Sequence, residues 1–119
     1  MIINYYNRKL IDTSEFSLHD YIVSRFLFEN NAIEIRVDYI EKRISSNISK
    51  RTSRVITFSE VDRFEFFPSS NRARSNEISC LECIDNKCTE QLMALELSFS
   101  NESHIYVMCR EVYFETIPD

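Results

Sequence analysis

The sequence predicts an all-β fold, an antiparallel sandwich or open barrel of about seven or eight short strands. Three observations carry this. Apolar and polar residues alternate with a period of two along successive stretches, as strands buried on one face require. The segments between them are polar and too short for the helical crossovers of a parallel sheet. No amphipathic helical window of useful length interrupts the pattern, so at most one short helical turn is expected.

Taken in order, residues 1–11 (MIINYYNRKLI) read as a short strand, with Ile3 and Tyr5 or Ile2 and Tyr6 inward. Asp12, Thr13, Ser14 and Glu15 are turn-like and can cap the single helical turn. Residues 18–41 form the clearest element, a β-hairpin closing at Asn30-Asn31. Asparagine tolerates positive φ better than any residue but glycine, which suits a type I′ turn. That turn pairs Phe28 with Ile33, Phe26 with Ile35, Ser24 with Val37 and Ile22 with Tyr39, all on one face. The opposite face is mostly charged and sets Arg25 against Arg36, a mildly unfavourable pair. A slip by one residue would turn Phe26 and Phe28 to water, so the register is well specified.

Residues 42–52 (KRISSNISKRT) lose the alternation and read as a long polar loop. Residues 54–58 resume a strand, 59–62 make a tight connection, and 63–67 are the next strand, stopped by Pro68. Residues 68–76 are a second polar loop. Residues 77–85 read as a strand with Ile78 and Cys80 on one side and Leu81 and Cys83 on the other. Residues 92–99 and 105–109 alternate well. A three-residue loop at Asn101, Glu102 and Ser103 pairs Phe99 with Ile105, Leu97 with Val107 and Leu95 with Cys109. Residues 111–115 continue as an edge strand with Val112 and Phe114 inward.

At 119 residues and 44% hydrophobic, the whole chain 1–119 reads as a single β domain able to bury a core without metal or disulfide staples. Glycine is absent, which removes every glycine-dependent phosphate loop and the nucleophile elbow. It also leaves Asn, Asp and Ser to make the tight turns. The net charge of −5 argues against general nucleic-acid binding, where a basic face supplies most of the affinity. No apolar stretch reaches membrane-spanning length, and residues 1–12 lack the apolar run of a signal peptide. The expectation is a cytoplasmic protein, with no membrane partner and its four cysteines reduced.

Four groups of residues could carry chemistry. Cys80, Cys83 and Cys88, with Cys109 as a fourth ligand, have half of a zinc spacing: the Cys-x-x-Cys pair is present, but its partner pair is not. The alternatives are small core residues and a Cys83–Cys88 disulfide formed on oxidation. His19-Asp20 is the only His-Asp pair, and reads more simply as a backbone-bonding turn than as part of a triad. Lys42, Arg43, Lys50, Arg51 and Arg54, with a shorter run at Arg72 and Arg74, could meet an acidic partner or RNA, but read more simply as solvated loop charges that keep the chain soluble. No aromatic residues interleave with them as nucleic-acid stacking would need. Paired carboxylates are plentiful, but none sits in an apolar pocket identifiable from sequence, so no catalytic residue is assigned.

Leu18-His19-Asp20 leading into the hairpin, and residues 95–99 turning into Ile105-Tyr106-Val107 and Val112-Tyr113-Phe114, resemble a loose group of small bacterial β proteins. The group includes uncharacterised domains and immunity proteins of polymorphic toxin systems. The chain departs from it in lacking glycine at the last hairpin turn. The resemblance implies a single-domain binder with no active site of its own, and carries over no functional residue. The expectation is therefore a non-enzymatic binding protein with a protein partner and no cofactor. The alternatives are a small-ligand or enzymatic β-barrel, which six Tyr and nine Phe could line, and a zinc-stabilised interaction module. A free edge strand could also pair with a second copy.

Overall fold

A computed structural model describes residues 1–43, 48–70 and 76–118. Among these, nine strands form two antiparallel sheets, giving a sandwich-like all-β fold. The first sheet contains β1 (Ile2–Ile3), β2 (Ile22–Glu29), β3 (Ala32–Arg43), β4 (Ile48–Ser59) and β9 (Glu111–Ile117), in the order β1-β9-β4-β3-β2. The second contains β5 (Arg63–Phe67), β6 (Ile78–Cys83), β7 (Met93–Phe99) and β8 (His104–Cys109), in the order β5-β8-β7-β6. The inner faces supply one core. Ile33, Ile35 and Val37 of β3, Ile56 and Phe58 of β4, and Val112 and Phe114 of β9 share it with Met93, Leu95 and Leu97 of β7 and Ile105 and Val107 of β8.

Two connections carry the chain from sheet to sheet, β4 to β5 and β8 to β9. They meet at one corner, where Arg110 N–H donates to Ser59 O (3.1 Å) and Asp62 N–H to Met108 O (2.8 Å). β2 joins the second sheet elsewhere. Ile22 bridges Glu77, and Val23 N–H donates to Asn76 O at 2.9 Å. Further along β2, the Phe26 ring packs 5.8 Å from Phe64 of β5. β5 and β6 are opposite margins of their sheet, so β2 runs across that sheet rather than along it.

The Asn30-Asn31 turn forms as the sequence predicts. Both residues are left-handed (φ 52 and 60), and Phe28 opposes Ile33, Phe26 opposes Ile35 and Arg25 opposes Arg36. A bulge at Ser24 changes the rest. Val23 opposes Val37 and Ile22 opposes Asp38, so Val23 turns inward and Ile22 outward. One extra residue in a strand reverses the facing of everything beyond it. Phe26 and Phe28 lie on the inner face as expected, yet stay 44% and 55% exposed because β2 is the sheet margin.

Other elements depart from the alternation. The predicted strand over residues 1–11 ends at Ile3, and a 3-10 segment kinked at Asn7 spans Tyr5–Asp12. Asn4 Oδ1 accepts from Tyr6 N–H (2.9 Å) and Asn7 Oδ1 from Asn4 N–H (2.7 Å), side-chain bonds that replace a sheet ladder. With Ser14–Phe16 and Asp85–Lys87, three 3-10 segments stand where at most one short helical turn was expected. The predicted loop over 42–52 is mostly strand: β3 runs to Arg43 and β4 starts at Ile48, while residues 44–47 lie outside the described residues. Polar β-ribbons carry no apolar alternation to announce them. β6 is also bulged, so Ile78 and Leu81 are both buried and Cys80 is exposed. β9 has Val112 and Phe114 inward as predicted, but lies between β1 and β4 rather than at an edge.

The last hairpin has the predicted type of loop, set one residue earlier. Glu102 is the left-handed residue (φ 72), its N–H donates to Phe99 O (3.0 Å), and Phe99 N–H donates to Ser103 O (2.9 Å). Asn101 Oδ1 accepts from the Ser103 N–H (3.0 Å) and hydroxyl, tying the turn shut. The register therefore moves by two: Leu97 opposes Ile105, Leu95 opposes Val107 and Met93 opposes Cys109. A shift of two leaves every side chain on its predicted face.

Left-handed backbone costs a non-glycine residue roughly 1 kcal/mol. Glu102→Gly should raise stability by about 1 kcal/mol in denaturant titration. Leu95→Ala should cost about 3 kcal/mol or more because it leaves a core cavity, whereas Phe28→Ala should cost no more than about 1 kcal/mol. Equal losses for Leu95→Ala and Phe28→Ala would contradict the burial assigned to β2.

Candidate functional site

Two surface features stand out from the closed core. The first is an aromatic margin. Phe26 and Phe28 of β2, and Phe64 and Phe66 of β5, all belong to inner faces. Each sits on the outermost strand of its sheet, where the opposing layer covers it only in part. They are 38–55% exposed around the Phe26–Phe64 contact. Clustered exposed phenylalanines are uncommon on monomeric proteins and mark contact surfaces.

The second is a groove of about 470 Å³ on the outer face of the second sheet. Alternation places Arg63, Glu65 and Phe67 of β5, Tyr106 and Met108 of β8 and Glu96 of β7 along it, and Ile84 and Lys87 from the β6–β7 connection close one side. Arg63 pairs with Glu65, Phe67 stacks on His104 (4.8 Å), and Lys87 Nζ lies 5.3 Å from the Tyr106 ring centre. The groove mixes both charges with aromatic faces. Its described lining holds His104, Lys87, Tyr106 and two glutamates, and no serine, threonine or cysteine.

The basic residues predicted to meet a partner lie along the β3–β4 ribbon. Lys42 opposes Ser49, Arg43 opposes Ile48, Lys50 opposes Glu41 and Arg51 opposes Ile40. Arg51 is committed within the chain, with Nη2 2.9 Å from Asp38 Oδ2. Asp38 is buried on the outer face of the first sheet and also accepts from the Ser53 hydroxyl. Burial pushes its pKa up, but hydrogen bonds from Ser53, Ser24 and Arg51, with the Arg51 charge, outweigh that and hold it at about 2. Arg54 is also used internally: it donates to Glu15 O (3.1 Å) and lies over the Tyr21 ring. Arg72 and Arg74 lie outside the described residues.

The four cysteines separate. Cys80 opposes Ser98 and is exposed. Cys109 is fully buried in the core, and burial, then the nearby Cys88, pushes its thiol up to about 12. Cys83 and Cys88 come together, with Sγ atoms 3.4 Å apart. Burial pushes the Cys83 thiol well up, and Cys88 and the carboxylates of Asp85 and Asp12 add to this. Among the described residues, no group of three or more His, Cys, Asp or Glu side chains could hold a metal ion. His19 and Asp20 are both exposed, 3.4 Å apart. His19 Nδ1 lies 3.0 Å from Ser79 O, to which it can only donate, and Asp20 is a left-handed turn residue (φ 68). The pair joins the entry of β2 to β6, as a turn would. The aromatic margin is the feature that sequence reading missed: its residues read as core, and only the strand order reveals their exposure.

No family model matches the chain, and no curated protein or solved structure matches it.

The depressed pKa of Asp38 ties stability to acid. A carboxylate whose folded pKa lies below its unfolded value stabilises the fold above the unfolded pKa and loses that contribution as pH falls through the folded one. The shift from 3.8 to about 2 corresponds to about 2 kcal/mol, lost between about pH 4 and pH 2. Asp38→Asn should lower stability at pH 7 by about 2 kcal/mol and flatten that acid limb in urea titrations. An unchanged acid limb would show that Asp38 is not the group responsible.

Proposed function

We propose that this chain is a non-enzymatic binding protein that docks a protein partner on the aromatic margin formed by β2 and β5. The observation that carries the reading is the exposure of Phe26, Phe28, Phe64 and Phe66 around one contact. Phenylalanines in that position leave apolar surface in water in the free protein, and a partner that covers them recovers about 25 cal/mol for each Å² buried. Among the described residues no further strand pairs with the outer edge of β5 or of β2 beyond Val23, and an extended segment of the partner can add main-chain hydrogen bonds there. The net charge of −5 favours encounter with a basic partner. Together with the resemblance, these features fit an immunity-type inhibitor acting in the cytoplasm. The β3–β4 ribbon is a weaker docking surface, since Arg51 is spent on Asp38.

A second reading is favoured by the outer-face groove, whose size and mixed aromatic and charged lining suit a small ligand. The two separate by mutation. Phe26→Glu with Phe64→Glu should weaken co-purification with a basic protein encoded next to this chain by roughly 100-fold or more. Lys50→Glu should change it little, and circular dichroism would confirm that both variants stay folded. Retained binding in the phenylalanine variant would move the site off the margin. If wild-type protein instead self-associates in sedimentation and the same variant abolishes it, the occupant is a second copy.

A further inference from the structure

The Cys83–Cys88 pair lies outside the binding reading, and its surroundings give it a use. Cys83 ends β6, Cys88 follows the Asp85–Lys87 turn, and their sulfurs touch at 3.4 Å. The turn is bonded to its neighbours. Ile84 N–H donates to Ala94 O (2.9 Å), Ala94 N–H donates to Cys88 Sγ (3.3 Å), and Arg8 Nε reaches Asp85 Oδ1 (3.0 Å). Bond formation requires the sulfurs to close by roughly 1.4 Å. The same short loop carries Ile84 and Lys87, which form one wall of the outer-face groove.

We propose that Cys83 and Cys88 are a reversible redox-modification site whose disulfide locks the Asp85–Lys87 turn and so fixes one wall of the outer-face groove. The oxidant class is a low-molecular-weight disulfide, RSSR. One protein sulfur loses its proton and attacks RSSR, forming a mixed disulfide and releasing one RSH. The other protein sulfur loses its proton and attacks the first, closing the intramolecular bond and releasing the second RSH. Two protein thiols are oxidised and one small disulfide is reduced, with no other reagent. Cys80 is exposed on the outer face and Cys109 is sealed in the core, and neither joins the bond.

Full-length reduced protein incubated with excess oxidised glutathione tests this. Under denaturing conditions two of its four thiols should be lost to an internal bond, which peptide mapping places at Cys83–Cys88 and dithiothreitol reverses. Any glutathione adduct on Cys80 is counted separately by mass. Amide exchange at Lys87 and Cys88 should slow by roughly tenfold on oxidation, and Tm should rise by several degrees. Cys83→Ser and Cys88→Ser should each abolish the bond and the exchange change, while Cys80→Ser should keep both. The mapping on wild-type protein stands even if a variant fails to fold. Glutathione adducts without the internal bond, or links between chains, would overturn the proposal. So would an internal bond that leaves exchange at residues 84–88 unchanged, since the groove wall would then be unaffected.

Discussion

Burial between the two sheets is the constraint on which the remaining structure rests. β3, β4 and β9 present an unbroken inner row from Ile33 to Phe114, and β7 and β8 answer with Met93, Leu95, Leu97, Ile105 and Val107. At about 25 cal/mol for each Å² of apolar surface removed from water, this contact outweighs the local preferences of the connecting segments. It holds the corner at Ser59 and Arg110, where the chain changes sheets twice. It also explains the aromatic margin. The β1 and β6 margins are covered, with Ile3 and Ile78 buried, whereas the β2 and β5 margins are left partly open. Phe26 and Phe64 cover part of each other across that gap, while Phe28 and Phe66 stay open.

A chain without glycine makes its turns at some cost. Five described residues occupy the left-handed region: Asp20, Asn30, Asn31, Glu60 and Glu102. Asn and Asp suit that conformation because their short side chains bond the nearby backbone. Glu60 and Glu102 have no such excuse and are held by their surroundings. Around Glu102 the Asn101 side chain closes the loop on Ser103, so the residue before the strained position does the work. Turn placement then decides strand register over the whole of β7 and β8.

The charged groups divide by location. Asp38, Arg36, Arg51 and Ser53 form a polar cluster that secures the outer face of the first sheet, and Arg54 bonds the Ser14–Phe16 turn through Glu15. Charges used this way are not free to recognise a partner. The second sheet's outer face is different. Its charges, the Arg63–Glu65 pair among them, border a groove, and the thiol-bearing loop stands at its rim. The proposed docking margin and the proposed thiol site thus lie on separate parts of the molecule, which lets each be altered alone.

Read alone, the sequence determined the all-β class, the antiparallel pairing, the Asn30-Asn31 turn and most core identities, because a period of two and a left-handed turn are local properties that each strand carries by itself. The Ser24 bulge and the one-residue offset of the last loop escaped it, since several registers satisfy the same alternation until packing selects one. Tertiary structure alone decided that Phe26 and Phe64 lie at open margins and that Cys83 and Cys88 touch while Cys80 points away. Strand order depends on which sheets close over which neighbours, and no residue records its place in that order.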